Sequence, residues 1–320
     1  MDPRAINAGG EELTTTTAAL VGRERESIME QTGTSLNLGQ THVYRQQVQG
    51  AAVISRLGRS LLLLACASTV VPAQTGQPGI TSITSAANAA AGLAPESLGT
   101  MMGTGLAAGT ASAQSVPWPT TLGGVIVQVT DSGPTSMTRL AGLLFVSPSQ
   151  INFQVPAGTA PGPATVTINN GQQTISAQVQ IGSVAPGLFT LGLQGDAAAN
   201  GIRVAIPTQQ QSPLAVVLCL DSGAGCHLVP IDLGVDTPVY LSFYGTGFRG
   251  RSSLGNVAVT IGNMVTQVTV PALYAGPEPQ TPGLDQLNIP LPLTLRGAGV
   301  VSVTIWADGT KSNPVLIQVN

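Results

Sequence analysis

The stretch QINFQVP at residues 150–156 recurs later in the chain as QLNIPLP at residues 286–292. Three other pairs of runs match, and all the pairs occur in the same order along the chain. They are MMGTGL (101–106) with FYGTGF (243–248), LGGVIV (122–127) with LGNVAV (254–259), and VTI (166–168) with VTI (303–305). Ordered matches at similar offsets indicate that a structural unit has been duplicated. The sequence therefore predicts two tandem copies of one module.

Short apolar runs separated by turn residues fill each copy. ATVTI at 164–168 is followed by Asn169, Asn170 and Gly171. Asn-Gly favours a tight hairpin turn, because both central positions of that turn need a positive φ. About seven such strands per copy, with no helical period, are typical of an immunoglobulin-like β-sandwich. The predicted fold class is all-β, with two tandem immunoglobulin-like sandwiches.

Glycine and proline mark the internal divisions of the chain. The Gly-Thr-Gly triplets at 103–105 and 245–247 each follow a candidate strand, and predict a sharp bend or a bulge there. Pro186-Gly187 does not suit a central strand, so the segment around it is predicted to separate the modules. The first module is placed at 74–182, and the second at 183–320 with a cysteine-clipped hairpin.

One continuous apolar run, SLLLLACASTVV at 60–71, follows Arg56 and Arg59. A membrane-spanning helix needs about 20 residues, so this run is too short to cross a bilayer. Its charged flank, apolar centre and small-residue end are typical of a secretory signal. We predict a signal peptide over 51–73 that is cleaved after Ala73.

Two alternatives at this end of the chain stay open. LLAC at 63–66 resembles a lipobox, so lipid on Cys66 would anchor the mature chain to a membrane. Residues 1–50 show no sustained strand or helix period, and are either a disordered leader or residues upstream of the true start. In each case the mature chain is predicted to lie at the cell surface or outside the cell, without a membrane span.

Composition narrows the classes of partner. The chain of 320 residues is 43% hydrophobic and only 8% charged, with 39 Gly and 23 Pro, which indicates a turn-rich protein rather than a helical one. Its formal net charge is -3, with 12 Lys and Arg against 15 Asp and Glu. A surface that follows nucleic-acid phosphates needs clustered positive charge. We therefore do not expect nucleic acid to be a partner.

The cysteines of the predicted mature chain are Cys219 and Cys226. They flank a short turn-like segment between two apolar runs, which predicts a hairpin clipped by a disulfide. Disulfides persist in exported proteins. The alternative is a metal site formed by both cysteines with Asp221 and His227, although this set lacks the paired C-x-x-C spacing of structural zinc.

Catalytic chemistry has few candidate residues. His227 is the histidine that follows the predicted signal, and no Ser, Cys or Asp motif accompanies it as in a catalytic triad. The aspartates are scattered singly, without the paired carboxylates of a glycosidase. We therefore predict no catalytic residue, no cofactor and no enzyme activity.

Four side chains are candidates for ligand contact. Tyr240 and Tyr244 should share one face of a strand, because side chains alternate, and exposed tyrosines could form a platform for a sugar or a protein. Packing along the sandwich edge is the alternative role for them. Arg249 and Arg251 concentrate positive charge in the loop after Gly247, where they either bind an anionic ligand or are simply solvated.

Several longer runs carry a family resemblance. The sequence resembles the uncharacterised C-terminal domain family named after Solibacter, and its modules are similar to IPT/TIG domains, over roughly residues 78 to 320. The runs that carry the resemblance are VSPSQINFQVP (146–156), APGLFT (185–190), VPIDLG (229–234), YGTGFRGRSSL (244–254), YAGP (274–277) and GLDQLNIPLP (283–292). The resemblance implies immunoglobulin-like modules of cell-surface or extracellular proteins, and it implies no activity.

These observations predict a non-catalytic interaction or adhesion-type protein that binds a protein or a carbohydrate. The alternative is an accessory or carbohydrate-binding region associated with an extracellular hydrolase.

Overall fold

The computed structural model describes residues 78–192, 194–206, 208–220, 225–235 and 237–320. The predicted leader, the signal peptide and the lipidation site at Cys66 lie outside these ranges, as does Asp221. The prediction of an all-β fold is confirmed, because the regular elements in these ranges are β-strands and short 3-10 helices. No helical segment in the described part of the chain has the length and hydropathy that crossing a bilayer requires.

The N-terminal sheet pair comprises β1 to β10. Sheet 1 has the strand order β1-β2-β8-β7-β3, and sheet 2 has the order β10-β9-β5-β4, with β6 also paired to β5. The strands are β1 Gly79–Ser85, β2 Leu98–Thr104, β3 Ala111–Ser112, β4 Thr121–Leu122, β5 Val125–Asp131, β6 Thr138–Leu140, β7 Gly142–Val146, β8 Gln150–Gln154, β9 Gly162–Asn169 and β10 Thr174–Ile181.

The C-terminal sheet pair comprises β11 to β25, with 3-10 helices at Leu254–Asn256 and Leu293–Leu295. Sheet 3 has the order β15-β14-β18-β22-β21 with β11 on β18, and sheet 4 the order β12-β13-β25-β23-β19-β20 with β24 on β23; β16 and β17 form a separate hairpin. The strands are β11 Gly187–Leu188, β12 Thr190–Leu191, β13 Asp196–Ala197, β14 Ala199–Val204, β15 Gln211–Ala215, β16 Val217–Leu220, β17 Gly225–Leu228, β18 Val239–Thr246, β19 Val257–Gly262, β20 Gln267–Pro271, β21 Tyr274–Pro277, β22 Asp285–Leu291, β23 Gly299–Ala307, β24 Thr310–Lys311 and β25 Val315–Val319.

The second sheet pair repeats the strand order of the first. The run β2-β8-β7 in sheet 1 corresponds to β18-β22-β21 in sheet 3, and β10-β9-β5-β6 corresponds to β25-β23-β19-β20. The strands that correspond in sheet order are the strands that carry the matching sequence runs. Register agrees as well, because Asn152 is paired with Thr100, and Asn288 with Ser242, at corresponding positions.

Each sheet pair encloses its own hydrophobic core. Alternate residues of the matched strands point inward, so that Ile151 and Phe153 of β8 are fully buried in one core, and Leu287 and Ile289 of β22 in the other. Fully burying such a side chain stabilises the fold by about 1.5 to 3 kcal/mol. Ile181 is the last residue of the first core cluster and Leu188 the first of the second.

A further repeat explains the Gly-Thr-Gly triplets. In the N-terminal pair Gly79 and Ile80 lie opposite Thr104 and Gly103, and Gly187 and Leu188 lie opposite Thr246 and Gly245 in the C-terminal pair. The repeated Pro-Gly-apolar tripeptides, 78–80 and 186–188, were too short to recognise in the sequence. The first glycine of each triplet lies within a strand, whereas the second has a positive φ, +63° at Gly105 and +82° at Gly247.

Pro186 lies outside the strands, and Gly187 belongs to the two-residue strand β11, which is paired with the end of β18. One local prediction is wrong. The turn after β9 is longer than a two-residue hairpin, because Asn169 is paired with Thr174, and Asn170 accepts backbone hydrogen bonds from Gln172 (3.1 Å) and Gln173 (3.0 Å) through Oδ1. These side-chain bonds stabilise a loop of residues 170–173 in which Gly171 supplies the positive φ.

Candidate functional site

The two sheet pairs meet where β2 begins and β18 ends. The Leu98 N–H donates a hydrogen bond to Oγ1 of Thr246 (2.9 Å), and that hydroxyl donates to the Gly283 carbonyl (2.7 Å). Thr246 is fully buried, so these bonds replace the water that its hydroxyl would otherwise bind. Trp118 donates from Nε1 to the Pro282 carbonyl (2.9 Å). These contacts, which we call the joint, hold the ends of the two sheet pairs together.

A buried ion pair lies beside the joint. Asp285 is fully buried and accepts hydrogen bonds from the backbone N–H groups of Phe248 (2.8 Å) and Arg249 (3.1 Å), and from Nε of Arg249 (2.6 Å). Arg249 also donates to the Leu284 carbonyl (2.7 Å) and lies 3.5 Å from the Glu96 carboxylate of the N-terminal pair. Burial raises the pKa of Asp285, while the Arg249 charge and the backbone N–H groups oppose the rise. The donors around Asp285 give it a structural role.

A cleft of about 150 Å³ opens next to the joint, between the outer face of sheet 1 and Phe189. A cavity of about this volume holds one six-membered ring. Its lining is mostly apolar with a few polar side chains, as in many small-molecule sites. The lining residues are Ala86, Leu98, Gly99, Thr100, Leu144, Gln150, Asn152, Phe153 and Phe189.

The polar side of the cleft is a short row of hydrogen-bonded side chains. Asn152 accepts at Oδ1 from Nε2 of Gln150 (2.8 Å) and from Oγ1 of Thr100 (3.2 Å). These residues lie on β2 and β8, on the face of sheet 1 that points away from the core. Because the Asn152 carbonyl is occupied by two donors, its orientation is fixed. The row therefore offers hydroxyl and amide groups in a defined arrangement.

The same amide pair occurs in the C-terminal sheet pair. Gln286 donates from Nε2 to Oδ1 of Asn288 at 2.8 Å, the same length as the Gln150–Asn152 bond. Gln286 and Asn288 are both buried. The Gln-x-Asn hydrogen bond thus occurs in both sheet pairs, and the one in the N-terminal pair lines a cleft.

No lining residue of the cleft is charged. A charged ligand would lose its hydration there without gaining a counter-charge. An uncharged ring could pack against Phe189 and exchange hydrogen bonds with Thr100 or Gln150. The arrangement favours a small neutral ligand with polar substituents.

The predicted tyrosine platform is corrected. Leu241 and Phe243 point into the core as expected, so Tyr240 and Tyr244 do lie on the opposite face of β18. Tyr244, however, is only 4% exposed and packs with Ala198 and Leu284, whereas Tyr240 is half-buried. The outer face of sheet 3 is covered here, so the two rings do not form an exposed surface.

The two arginines after Gly247 are not simply solvated. The Arg249 side chain is 9% exposed and is held by Asp285. Arg251 donates to the Arg249 carbonyl (3.4 Å), and its Nε is buried without a hydrogen-bond partner. An anionic ligand would have to displace Asp285 from Arg249, so the structure gives that arginine a role in the joint.

The cysteines lie opposite each other in the β16–β17 hairpin and form a disulfide. Their sulfurs are therefore not thiolate ligands for a metal. His227, on β17, is exposed. Burial raises the pKa of Asp196, and the nearby His227 charge opposes the rise. The described ranges hold no group of three or more His, Cys, Asp or Glu able to bind a metal ion.

Gln150 and Asn152 enter the sequence argument only within the repeated run and the family resemblance. Phe189 enters it only through the family resemblance, and Thr100 does not enter it. A usable signal does exist, because Gln-x-Asn places two polar side chains on one face of an otherwise apolar strand in both repeats. The cleft itself depends on where Phe189 packs, which no strand pattern encodes.

No protein-family model and no curated protein matches this chain. Among solved structures, one match is a "Putative phosphatase" from Bacteroides thetaiotaomicron, with 10% sequence identity and a TM-score of 0.20. The match covers 53% of this chain and 45% of that one, so it spans less than half of the other protein. A likeness at this level carries no argument about fold or activity.

Proposed function

We propose that this chain is an exported, non-catalytic binding protein of the cell surface or extracellular space. In this proposal two tandem immunoglobulin-like modules hold a ligand in the cleft at their joint. The observation that carries the proposal is the cleft, a ring-sized uncharged recess with walls from both sheet pairs. The Arg249–Asp285 pair and the Thr246 bonds support it, because walls fixed before binding reduce the entropic cost of association.

The ligand class follows from the lining. A single sugar residue has an apolar ring face for Phe189 and hydroxyls for Thr100 and Gln150, and it carries no charge. This chemistry also favours a second candidate function, in which the chain is the carbohydrate-binding accessory region of an extracellular hydrolase. In both candidates the bound group is one uncharged ring at the end of a larger molecule.

Export is supported by the disulfide in the β16–β17 hairpin, since disulfides persist in oxidising compartments. The apolar run before Ala73 supports it independently. We expect N-terminal sequencing of the secreted protein to begin near Gln74. A mature chain that begins at a lipidated Cys66 would mean that the protein is anchored to a membrane instead of released. A protein that stays inside the cell with residues 1–73 still attached would contradict export.

Binding is tested with the mature chain on a glycan array, followed by titration of the preferred sugar by ligand-observed NMR. Phe189→Ala and Gln150→Ala should each weaken binding at least tenfold, because each removes a wall or a donor of the cleft. Gln178→Ala is the matched control, since Gln178 is an exposed glutamine of β10 outside the cleft. Equal binding by all variants, or no glycan bound, would contradict the proposed ligand class. A protein partner captured by the parent and lost with Phe189→Ala would reassign the cleft to a protein side chain.

A further inference from the structure

The most exposed large hydrophobic side chains are gathered at one end of the C-terminal sheet pair. Among the described large hydrophobic residues, the highest exposures are those of Met264 (103%), Val265 (93%), Val235 (79%) and Ile206 (57%). They belong to the loop before β18, the β14–β15 turn and the β19–β20 turn. Leu293, between β22 and β23, adds a further exposed side chain. We call these five residues the apolar tip.

Hydrogen bonds tie the loops of the apolar tip together. Asn263 donates from Nδ2 to the Ala298 carbonyl (2.9 Å), linking the β19–β20 turn to the segment before β23. Arg296 from that segment donates to the Gly234 carbonyl, beside Val235. The β14–β15 turn joins the same end through a bond from the Val204 N–H to the Pro238 carbonyl (3.0 Å). The exposed side chains are therefore carried on a connected set of loops.

The apolar tip lies at the end of the sheets that is remote from the joint. Strand β18 runs from Val239, beside the tip, to Thr246 in the joint, and β22 runs back from Asp285 to Leu291. Nothing in the N-terminal sheet pair covers the tip, and an exposure near 100% means that Met264 and Val265 project beyond their neighbours. The joint and its cleft are thus at the opposite end from these side chains.

Hydrogen bonds within the β19–β20 turn pair most of its backbone N–H groups. Oδ1 of Asn263 accepts the backbone N–H groups of Val265 (2.9 Å) and Thr266 (3.0 Å), and the Asn263 N–H donates to the Thr266 carbonyl (2.8 Å). Backbone groups that are already paired can leave water at little cost, whereas unpaired ones would each cost several kcal/mol in hydrocarbon. Three of the four N–H groups of residues 263–266 are therefore already paired.

Cationic side chains lie behind the apolar projections. Arg296 and Arg203 both reach backbone carbonyls of the segment 232–234, so their guanidinium groups lie at the base of the tip. Asp232 is the exposed carboxylate of that segment, and its Oδ1 accepts the Gly234 N–H (2.9 Å). Asp236 follows Val235 in the sequence, so these loops carry two arginines and two aspartates and no net positive charge. The order of aliphatic projections backed by guanidinium groups still matches the order of acyl chains and phosphates at a lipid surface.

We propose that the apolar tip inserts into the surface of a lipid bilayer. Met264 and Val265 enter the acyl region, and Arg203 and Arg296 lie at the depth of the phosphates. A second copy of the chain fits less well, because a stable dimer needs about 800 Å² per partner of complementary surface. Here the apolar side chains are separate projections from several turns. A fluid bilayer adapts to such projections without a matching shape.

The test uses the mature chain and phosphatidylcholine vesicles that contain a minority of phosphatidylglycerol. Flotation should show the protein with the vesicles, and Met264→Asp combined with Val265→Asp should reduce the bound fraction at least tenfold. Leu140→Asp is the matched control, because Leu140 is an exposed leucine of the N-terminal sheet pair, and it should bind as the parent does. The thermal unfolding midpoint of each variant, compared with that of the parent, distinguishes a loss of vesicle binding from a loss of folded structure.

Depth and self-association are measured separately. Met264→Cys labelled with an environment-sensitive dye should shift its emission to the blue on vesicle addition, whereas the same dye at Leu140→Cys should not. The native cysteines of the described chain are in the disulfide and do not react. An unshifted label, failure of the parent to float, or a concentration-dependent dimer that the double variant abolishes would overturn insertion.

Discussion

Gly103 and Gly245 face the same obstacle in the two sheet pairs, the carbonyl oxygen of a glycine on the neighbouring strand. A Cβ at Gly103 would overlap the Gly79 carbonyl and lie 2.8 Å from Cδ2 of Leu106. A Cβ at Gly245 would overlap the Gly187 carbonyl in the same way. The two glycines allow β2 and β18 to approach their neighbours closely in corresponding places.

Gly103→Ala and Gly245→Ala should each lower the free energy of unfolding by about 1 to 3 kcal/mol, as overpacking does in a close-packed site. Urea denaturation followed by circular dichroism measures the loss. Gly109→Ala is the control, because a Cβ there would meet no atom within 4 Å. If both strand glycines tolerate alanine as well as Gly109 does, close approach is not the reason for the triplet.

The Arg249–Asp285 pair gives a second prediction. Arg249→Met leaves the fully buried Asp285 without its counter-charge, and removing one partner of a buried ion pair costs about 3 to 5 kcal/mol. Lys311→Met removes an exposed cation near Trp306, and should change stability by less than about 0.5 kcal/mol. Guanidinium denaturation of both variants tests this difference. Similar small effects for the two would show that the pair does not stabilise the joint.

Asp131 makes stability depend on acid pH. Its carboxylate accepts backbone hydrogen bonds from Ala160 (3.0 Å), Met137 (3.1 Å) and Gly133 (3.3 Å), and a bond from Nη1 of Arg139 (2.5 Å). These donors, the Ala160 N–H above all, hold the pKa of Asp131 at about 2. The folded pKa lies below the unfolded value of about 3.9, so this contribution is present above pH 4 and lost as the pH falls toward 2.

Asp131→Asn should remove that part of the pH dependence. The stability difference between parent and variant should shrink as the pH falls from about 4 to about 2, because the parent loses its charged acceptor. Urea midpoints at several pH values in this window measure it. A difference that stays constant across the window would show that Asp131 does not titrate there.

The fold class and the correspondence of strands could be predicted from the sequence, because the Gln-x-Asn and Gly-Thr-Gly motifs reflect local backbone conformation and strand register. The residues that surround side chains on the outer faces of the sheets could not be predicted. Alternation places Tyr244 on the face opposite Phe243, but its burial comes from Ala198 and Leu284, which are distant in sequence. Arg249 has its partner 36 residues away, so no local pattern distinguishes it from a solvated arginine.

The β16–β17 disulfide gives a prediction on redox state. With residues Cys219 and Cys226 bonded, thiol titration of the denatured, unreduced mature chain should find no free thiol. Reduction should cost less than the roughly 3 kcal/mol expected for a 15-residue loop, since the cysteines are separated by 7 positions. The Cys219→Ser, Cys226→Ser double variant should match the stability of the reduced parent. Two reactive thiols in the unreduced parent would contradict the Cys219–Cys226 disulfide.

His227 is the histidine of the described ranges and the first candidate for a catalytic base. A general base that works near neutral pH is usually a histidine or a buried carboxylate, and it must reach the reacting proton inside a pocket. His227 is exposed on β17, next to a cysteine whose sulfur is already bonded, while the nearby Asp196 is buried with a raised pKa. The cleft at the joint is lined by neither of them.

We therefore expect no hydrolytic turnover from the purified mature chain, and none from His227→Ala. A broad panel of ester, peptide, phosphate and glycoside substrates is the measurement, run on both proteins at equal concentration. Turnover in the parent that disappears in His227→Ala would overturn the non-catalytic proposal, because it would place the chemistry on His227. Equal turnover in both would point instead to a base elsewhere, and Asp196→Asn would then be the variant that decides whether the buried carboxylate supplies it.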